Sequence, residues 1–426
     1  MTTDNNDTSE WIACAECDAL HAVVPLNQNS KAACTRCGSE LYRQVDHGVD
    51  KVLAFTSTAL LLLVFSNFFP FLSLQLGGRV EQIFLVSSTL EFFHQGFFEL
   101  GILVFITSIL FPVLVIAGLL YIILSIKLDV AMPGGYLMFR YIKKIMPWSL
   151  IGVFMLGVFI AIVKLGDIAT VIPGVALFLM IALLLCLVAA VANLDERLIW
   201  QAHPVKPTVR PENLSISRHG LVRCRTCEFL TEDTMSQTEA SGNRSNCPRC
   251  GEKLSHRKDN SIARTWALVI TAIILYIPAN VYPIMTFKSF GSGHPDTILS
   301  GVVSLIESNL WGLALLVFFA SIMVPVIKLM VLSYLLVSVQ KGSCWRPKDR
   351  THLFRVTEVV GAWSMIDIFL IGILISLVKL GAFATVEVET GASFFAAVVV
   401  ITIFAAHSFD SRLIWDNCKQ DDSKEH

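Results

Sequence analysis

Long apolar runs dominate the pattern of hydrophobic and polar positions along this chain. Eight stretches contain few charges, and they span 52–74, 98–126, 147–165, 170–192, 265–287, 310–339, 362–380 and 392–408. A helix of about 20 apolar residues crosses the hydrocarbon core of a bilayer, whereas a large soluble protein would not tolerate so many long runs. The pattern therefore predicts an all-α polytopic membrane protein with eight transmembrane helices.

The composition supports this class and excludes one kind of partner. Of the 426 residues, 54% are hydrophobic and 16% are charged, which is more apolar than the usual soluble domain. The formal net charge is −1, so the chain lacks the overall basic field of nucleic-acid-binding proteins. We expect membrane lipids, and no nucleic acid, among its partners.

The sequence contains an internal repeat. The matching motifs are Cys34-x-x-Cys37 with Cys247-x-x-Cys250, SNFFPF (66–71) with ANVYPI (279–284), WSLIGVF (148–154) with WSMIDIF (363–369), and DERLIW (195–200) with DSRLIW (410–415). Each half is a cysteine module followed by four apolar stretches. Because four is an even number, both halves have the same orientation and the repeats are parallel rather than inverted.

Basic residues predict which side each loop occupies. The loops between the second and third stretches of the two halves contain Lys127, Arg140, Lys143 and Lys144, and Lys341, Arg346, Lys348, Arg350 and Arg355. The segments at 75–97 and 288–309 contain one Lys or Arg each, Arg79 and Lys288. Since loops rich in Lys and Arg face the cytoplasm, both termini and both cysteine modules are predicted to be cytoplasmic.

Eight cysteines have the spacing of metal ligands. Sixteen residues separate the two Cys-x-x-Cys pairs of the first module and nineteen separate those of the second, and both spacings fit four-thiolate zinc sites. The predicted ligands are Cys14, Cys17, Cys34, Cys37, Cys224, Cys227, Cys247 and Cys250. Gly38 and Gly251 follow the last cysteine of each module, where the turn often needs a positive φ.

We expect two Zn²⁺ ions, one per ribbon. A closed four-sulfur site has no open coordination position, so its role is structural rather than catalytic. Iron of the rubredoxin kind fits the same ligands, and docking of a partner on the ribbons stays open. Disulfides within the modules are disfavoured because the cytoplasm keeps thiols reduced. Cys186, Cys344 and Cys418 have no partners at this spacing.

These features divide the chain into six segments. We predict an N-terminal zinc ribbon at 1–48, a four-helix transmembrane module at 49–200, a cytoplasmic linker at 201–222, a second zinc ribbon at 223–258, a second four-helix transmembrane module at 259–416 and a C-terminal tail at 417–426.

Three polar residues of the second module replace apolar residues or glycine of the first. Lys328 stands where the first repeat has Val115, Asp367 where it has Gly152, and Thr402 where it has Leu187. An ionisable side chain inside a membrane needs a partner, and the helical rise places Lys328 and Asp367 at similar depth. We therefore predict that the two charges meet within the bilayer. Ser321 and Ser364 lie on the same helix faces and would complete a polar transport cluster.

This cluster has two interpretations. Lys328 and Asp367 would be either an ion pair that only locks two helices together, or part of a substrate cavity or proton sensor. Prolines mark helix irregularities at Pro112 and Pro325 in the second helix of each half, and at Pro70 and Pro283 in the first.

No motif points to catalysis. The phosphate loop, the HExxH helix, the GxSxG elbow and the dinucleotide glycine pattern do not occur in the sequence. We expect no enzymatic activity. Two alternatives to transport stay open, which are a zinc- or redox-responsive membrane regulator and a membrane-embedded lipid-modifying enzyme with a scattered site.

The motifs together resemble one family. PANVYPI (278–284), DTILSGVVSL (296–305), ASIMVPVIKL (320–329) and WSMIDIFLI (363–371), with the Cys-x-x-Cys pairs, make the chain similar to the paraquat-inducible protein A family from Cys14 to Trp415. The resemblance implies a protein of the bacterial inner membrane that works with MCE-domain proteins, which form tunnels across the periplasm. It further implies transport of lipids or other hydrophobic molecules between the two membranes.

Overall fold

The computed structural model describes most of the chain. The described residues are 11–76, 79–130, 134–166, 170–201, 205, 221–232, 246–289, 292–378, 384–416 and 418. The predicted linker at 201–222 lies mostly outside these residues, and so does the predicted tail at 417–426 apart from Cys418.

The first half runs from two strand pairs into membrane-type helices. Its elements are β1 (Trp11–Ala13), β2 (Leu20–Ala22), β3 (Lys31–Ala33), β4 (Glu40–Arg43), α1 (Gly48–Ser66), β5 (Leu72–Leu76), β6 (Arg79–Ile83), α2 (Ser87–His94), α3 (Phe98–Phe105), a π-helical segment (Ile106–Leu110), α4 (Phe111–Lys127), α5 (Gly135–Ile145), a 3-10 segment (Met146–Trp148), α6 (Ile151–Gly166), β7 (Thr170–Pro173), α7 (Val175–Asn193) and α8 (Glu196–Gln201).

The second half follows a similar order. Its elements are β8 (Leu221–Arg223), β9 (Leu230–Glu232), α9 (Ser261–Val281), β10 (Met285–Ser289), β11 (Ser292–Asp296), α10 (Ile298–Glu307), α11 (Trp311–Phe318), a π-helical segment (Phe319–Met323), α12 (Val324–Gln340), α13 (Pro347–Gly361), a 3-10 segment (Ala362–Met365), α14 (Ile366–Leu377), β12 (Ala384–Val388), α15 (Thr390–Ser408) and α16 (Leu413–Asp416). Within the described residues, eight helical spans are long and apolar enough to cross a membrane, which confirms the predicted number.

The described chain is mostly helical, as predicted, but two small antiparallel sheets show that it is not purely α-helical. Their strand orders are β6-β5-β7 and β11-β10-β12. The apolar run at 52–74 therefore ends as a helix at Ser66 and continues as strand β5, in which Leu72 and Leu74 are buried. A short apolar strand that follows an apolar helix gives no change of hydrophobic pattern, so the sequence did not predict either sheet.

The first membrane helix of each half ends before a proline. The side-chain amide of Asn67 donates to the Leu63 carbonyl at 2.7 Å, and that of Asn280 donates to the Tyr276 carbonyl at 2.8 Å. These bonds satisfy carbonyls that a helix end leaves without intrahelical partners. Pro70 and Pro283 follow in the turns toward the sheets, so they lie beyond these helices and do not kink them.

The second membrane helix of each half widens immediately before its proline. Pro112 and Pro325 occupy the second positions of α4 and α12, and each follows a five-residue π-helical segment. Proline has no N–H to donate to the carbonyl four residues earlier, so the local hydrogen-bond ladder is interrupted. This change of helical pitch lies next to Pro112 and Pro325, where the sequence predicts an irregularity.

The third helix of the second half, α14, occupies the centre of the molecule. All its residues from Ile366 to Leu377 are buried, because α6 and α2 of the first half pack against it. Gly372 allows this approach, since a Cβ atom there would lie 2.8 Å from the Phe92 ring. On the equivalent helix of the first half, α6, the residue Phe159 is 46% exposed. The repeats thus differ in burial at the same helix.

Candidate functional site

Four sulfur atoms converge in each cysteine module. The two sets are Cys14, Cys17, Cys34 and Cys37, and Cys224, Cys227, Cys247 and Cys250, and the sulfurs of each set lie within 4.8 Å of one another. The closest sulfur pairs are 3.5–3.6 Å apart. Ligands at ~2.3 Å from a tetrahedral ion are separated by roughly 3.8 Å. Both sets therefore fit a four-coordinate metal ion.

Tight turns hold the sulfurs in place. The Cys34 carbonyl accepts the Gly38 N–H at 2.8 Å, and Gly38 has a φ of 73°. Gly251 takes the same place in the second module with a φ of 68°, as the sequence predicts. Directly after the first Cys-x-x-Cys pair of each module, Asp18 and Glu228 adopt the left-handed conformation instead, which the sequence did not indicate.

Polar neighbours surround the sulfurs of the first module. The Ser39 hydroxyl oxygen lies 2.9 Å from the Cys14 sulfur and 3.0 Å from the Cys37 sulfur. His21 Nε2 lies 3.2 Å from the Cys34 sulfur. Such outer contacts orient ligating thiolates and stabilise their charge.

The second cysteine module docks on the basic loop of the first half. Arg140 forms an ion pair with Glu252 at 2.7 Å, and its guanidinium also reaches the Cys250 carbonyl at 3.5 Å. Lys143 donates to the Thr226 carbonyl at 3.2 Å. Helix α5 of the first half is therefore the support for the second module.

The first cysteine module makes the reciprocal contact with the second half. Asp18 forms ion pairs with Arg257 and, at 3.4 Å, with Arg412. The Arg36 guanidinium lies 4.6 Å above the Trp415 ring. The two modules are thus docked crosswise, and both lie on the side of the membrane helices where the basic loops are.

One contact links a predicted metal ligand to the central helix. Arg355 on α13 approaches the Cys37 sulfur at 3.7 Å. Helix α13 continues through the 3-10 segment into α14, which carries Asp367. The first cysteine module therefore touches the same helical segment that reaches the interior of the second half.

Lys328 is buried in the second half and only 3% exposed. Its ammonium donates to the Thr402 hydroxyl oxygen at 3.4 Å. Gly361 leaves room for it, because a Cβ atom at that position would lie 2.6 Å from Lys328 Nζ. Sequence reasoning missed Gly361, although a comparison of the two repeats offers a signal. The first repeat has Met146 at the position of Gly361 and Val115 at the position of Lys328, so the small residue and the lysine occur in the same repeat.

Ser321 and Asp367 line a cavity of about 40 Å³. The other lining residues are mainly apolar, and they are Ile160, Ile284, Met285, Thr297, Ile298, Gly301, Leu305, Leu313, Val317, Leu370, Ile371 and Leu374. Ser321 is fully buried, and its hydroxyl has no hydrogen-bond partner among the described residues. A buried polar group in that state costs about 1–3 kcal/mol. A polar group of a bound molecule would supply the missing bond.

The predicted polar cluster falls into two groups. Lys328 contacts Thr402, whereas Asp367 lies beside the same cavity as Ser321. The ion pairs of the described residues do not include one between Lys328 and Asp367. Ser364 is buried in the 3-10 segment, and its hydroxyl also has no hydrogen-bond partner within the described chain. The role of these five residues stays a prediction.

Two cysteines without metal-type spacing form a bond of their own. Cys344 and Cys418 are joined as a disulfide, with their Cα atoms 5.3 Å apart and a separation of 74 positions in the sequence. Local spacing, which revealed the metal ligands, gives no signal for such a distant pair. Cys186, on α7, is free.

Known proteins resemble this chain over its whole length. A model of the family described as Paraquat-inducible protein A matches residues 49–203 and 262–419. The intermembrane transport protein PqiA of Escherichia coli is 32% identical over 428 residues, covering 99% of both chains. The lipophilic envelope-spanning tunnel protein A of Escherichia coli is 30% identical, covering 96% of this chain and 91% of its own.

A probable intermembrane transport protein of Haemophilus influenzae is 30% identical, and the match covers 95% of each chain. No solved structure matches this chain. The family match extends through both membrane modules, and the relatives align over nearly the entire sequence. The chain therefore belongs to the paraquat-inducible protein A family.

Proposed function

We propose that this protein is a non-enzymatic inner-membrane component that moves lipids or other hydrophobic molecules across the cell envelope. Its relatives are named for intermembrane transport and for an envelope-spanning tunnel. Eight apolar spans suit a component that meets its cargo within the bilayer. Its partner would be a periplasmic MCE-domain tunnel protein, placed at the end of the molecule where the two sheets lie.

The cavity beside Ser321 and Asp367 carries this proposal. Apolar side chains make up most of its lining, and the polar lining residues are Ser321, Thr297 and Asp367. That combination suits an amphipathic molecule, because apolar contacts hold the chains and a few polar groups fix the head. At about 40 Å³ the cavity holds little more than one water, so it would have to enlarge before a lipid enters. Short helix α10, which contributes Ile298, Gly301 and Leu305, is the element that would move.

The buried ammonium of Lys328 supports a role with anionic groups. A charged side chain at the centre of a membrane helix costs at least about 2.5–3.5 kcal/mol. One long hydrogen bond to Thr402 and the electrostatic attraction of Glu358 offset only part of that cost. We infer that Lys328 binds an anionic headgroup that enters the second module.

The proposed orientation follows from the docked basic loops. Arg140 and Lys143 contact the second cysteine module, so the modules share their side of the membrane with the basic loops. The excess of Lys and Arg there indicates the cytoplasm. A membrane-impermeant maleimide tests this orientation in spheroplasts. A Lys288→Cys variant should gain label directly, whereas Lys348→Cys should gain label only after permeabilisation.

The metal is proposed to be zinc, with one ion in each ribbon. Four thiolates in a closed tetrahedron are the usual structural zinc site, and small modules of this kind depend on their metal for folding. Bound zinc would fix the four cysteines that support each crosswise contact. Metal analysis of the purified protein should find two zinc ions per chain.

Transport complementation tests the proposed function. Asp367→Asn should abolish complementation of a strain that lacks the protein, while expression and membrane insertion stay normal. Asp50→Asn is the matched control, because Asp50 also lies on a membrane helix but is 57% exposed and paired with Lys127. Normal transport by the Asp367 variant would reject the cavity as the working site. Failure of an MCE-domain protein to copurify from native membranes would reject the proposed partner.

A further inference from the structure

Cys344 and Cys418 form a site separate from both metal-binding modules. Cys344 is exposed in the loop between α12 and α13, and Cys418 follows α16 and is partly buried. Their Cα atoms are 5.3 Å apart, within the range that disulfides favour. The bond closes a long segment of the second half that contains α13, α14 and α15.

The segment that ends at Cys418 is the surface on which the first cysteine module rests. Trp415 donates its indole N–H to the Thr351 hydroxyl at 3.0 Å, and Arg36 stacks on the indole ring. Arg36 also donates to the Cys418 carbonyl at 3.3 Å. Asp416 accepts from Arg257 Nε at 3.1 Å. A bond at Cys418 therefore limits the motion of residues that hold the first module.

The chemistry of the compartment decides what such a bond does. Disulfides in a reducing cytoplasm are usually transient and redox-sensing rather than permanent. Cys344 is an exposed residue, so a dissolved thiol or disulfide can approach it, as exchange requires. We propose that Cys344 and Cys418 form a reversible thiol–disulfide switch, which fastens the docking surface of the first cysteine module when it is oxidised. This inference rests on the proposed cytoplasmic position of the modules.

Glutathione disulfide is the oxidant class that closes the switch. The Cys344 thiolate attacks one sulfur of glutathione disulfide, and one glutathione thiolate leaves. The Cys418 thiolate then attacks the mixed disulfide at the Cys344 sulfur and displaces the second glutathione. Two protein thiols lose two electrons and two protons, and one glutathione disulfide becomes two glutathione molecules. Reduced glutathione reverses both steps.

The test uses full-length protein in native membranes, equilibrated at a series of ratios of oxidised to reduced glutathione. Free thiols are blocked with N-ethylmaleimide, and peptides are analysed by mass spectrometry without reduction. We expect a peptide that links Cys344 to Cys418, a fraction of it that rises with the share of oxidised glutathione, and a matching loss of label at both positions. Cys344→Ser should remove the link, and Cys186→Ser should leave it unchanged.

A second measurement reads the docking of the first module. Trypsin should cleave within residues 11–43 more slowly in oxidised than in reduced wild-type protein. Cys344→Ser should show one rate under both conditions, with its metal content unchanged. Equal labelling of both cysteines at every glutathione ratio would overturn the proposal, and so would linkage to other cysteines or equal trypsin rates for oxidised and reduced wild-type protein.

A bond that persists in fully reduced glutathione would also overturn the switch, since it would then be a permanent structural bond. If the bond persists and maleimide labelling also places the modules outside the cytoplasm, the proposed orientation is wrong. Permanence with cytoplasmic modules would reject the switch alone. Neither result concerns the cavity beside Asp367, which the transport assay tests independently.

Discussion

Replacement of Lys328 by methionine separates stability from function. Methionine keeps an unbranched apolar stem of similar length and removes the charge, its hydrogen bond to Thr402 and its attraction to Glu358. The side chain is 3% exposed, and its ammonium reaches Thr402 at a long 3.4 Å. The charge costs about 2.5–3.5 kcal/mol in a membrane helix, and a long hydrogen bond from a charged donor returns about 1.5 kcal/mol. Because the attraction of Glu358 is lost as well, Lys328→Met should raise the free energy of unfolding by at most about 1–2 kcal/mol.

The assay combines unfolding with transport. Purified protein in detergent, with its metal retained, is unfolded by denaturant, and tryptophan fluorescence follows the transition. The same variant is tested for complementation of a transport-deficient strain, where we expect loss of activity. Lys341→Met removes a charge from the exposed end of the same helix, and it should change stability by less than about 0.5 kcal/mol and leave transport intact.

A Lys328→Met protein that is less stable than wild type by more than about 1 kcal/mol would refute this reasoning. That result would mean that the ammonium has a strong partner and contributes to folding. A more stable variant with normal transport would show instead that the lysine is merely tolerated.

Three other changes test separate parts of the fold. Cys227→Ser should lower bound zinc from two ions to one per chain, measured by elemental analysis, because three thiolates hold the ion poorly; retention of both ions would contradict the assigned ligands. Gly38→Ala should destabilise the protein by about 1 kcal/mol because its φ is 73°, whereas Gly301→Ala, in a helix with open space around it, should not lower the thermal midpoint. Gln95→Ala removes two hydrogen bonds that the side chain makes across the halves to strand β12, one of them with the Val388 N–H at 2.8 Å. Hydrogen exchange at Val388 should accelerate, and an unchanged rate would show that the bond is not maintained.

Features encoded by local sequence were predictable. The eight spans follow from the lengths of apolar runs, and the sulfur clusters follow from cysteine spacing within a turn. Gly38 was identified for its conformation, and Pro112 for the irregularity of its helix, because each acts on the backbone beside it. In all these cases, the physical cause lies within a few residues of its effect.

Features that depend on distant contacts were not predictable. Equal depth in the membrane placed Lys328 and Asp367 together, but depth does not specify which way each helix is rotated. In the structure, the lysine turns toward Thr402 and the aspartate toward the cavity beside Ser321. The disulfide between Cys344 and Cys418 was not predicted for a similar reason. Its two cysteines are distant in the sequence, and nothing near either of them identifies its partner.

The crosswise docking of the cysteine modules has a consequence for biosynthesis. The first module is translated before the eight membrane-type helices that follow it, yet Arg412 and Trp415, on which it rests, are translated only after helix α15. Assembly must therefore finish with a joining of early and late segments. A chain whose synthesis ends before these residues would have an undocked first module. Cellular quality control could recognise that exposed module as a sign of incomplete synthesis.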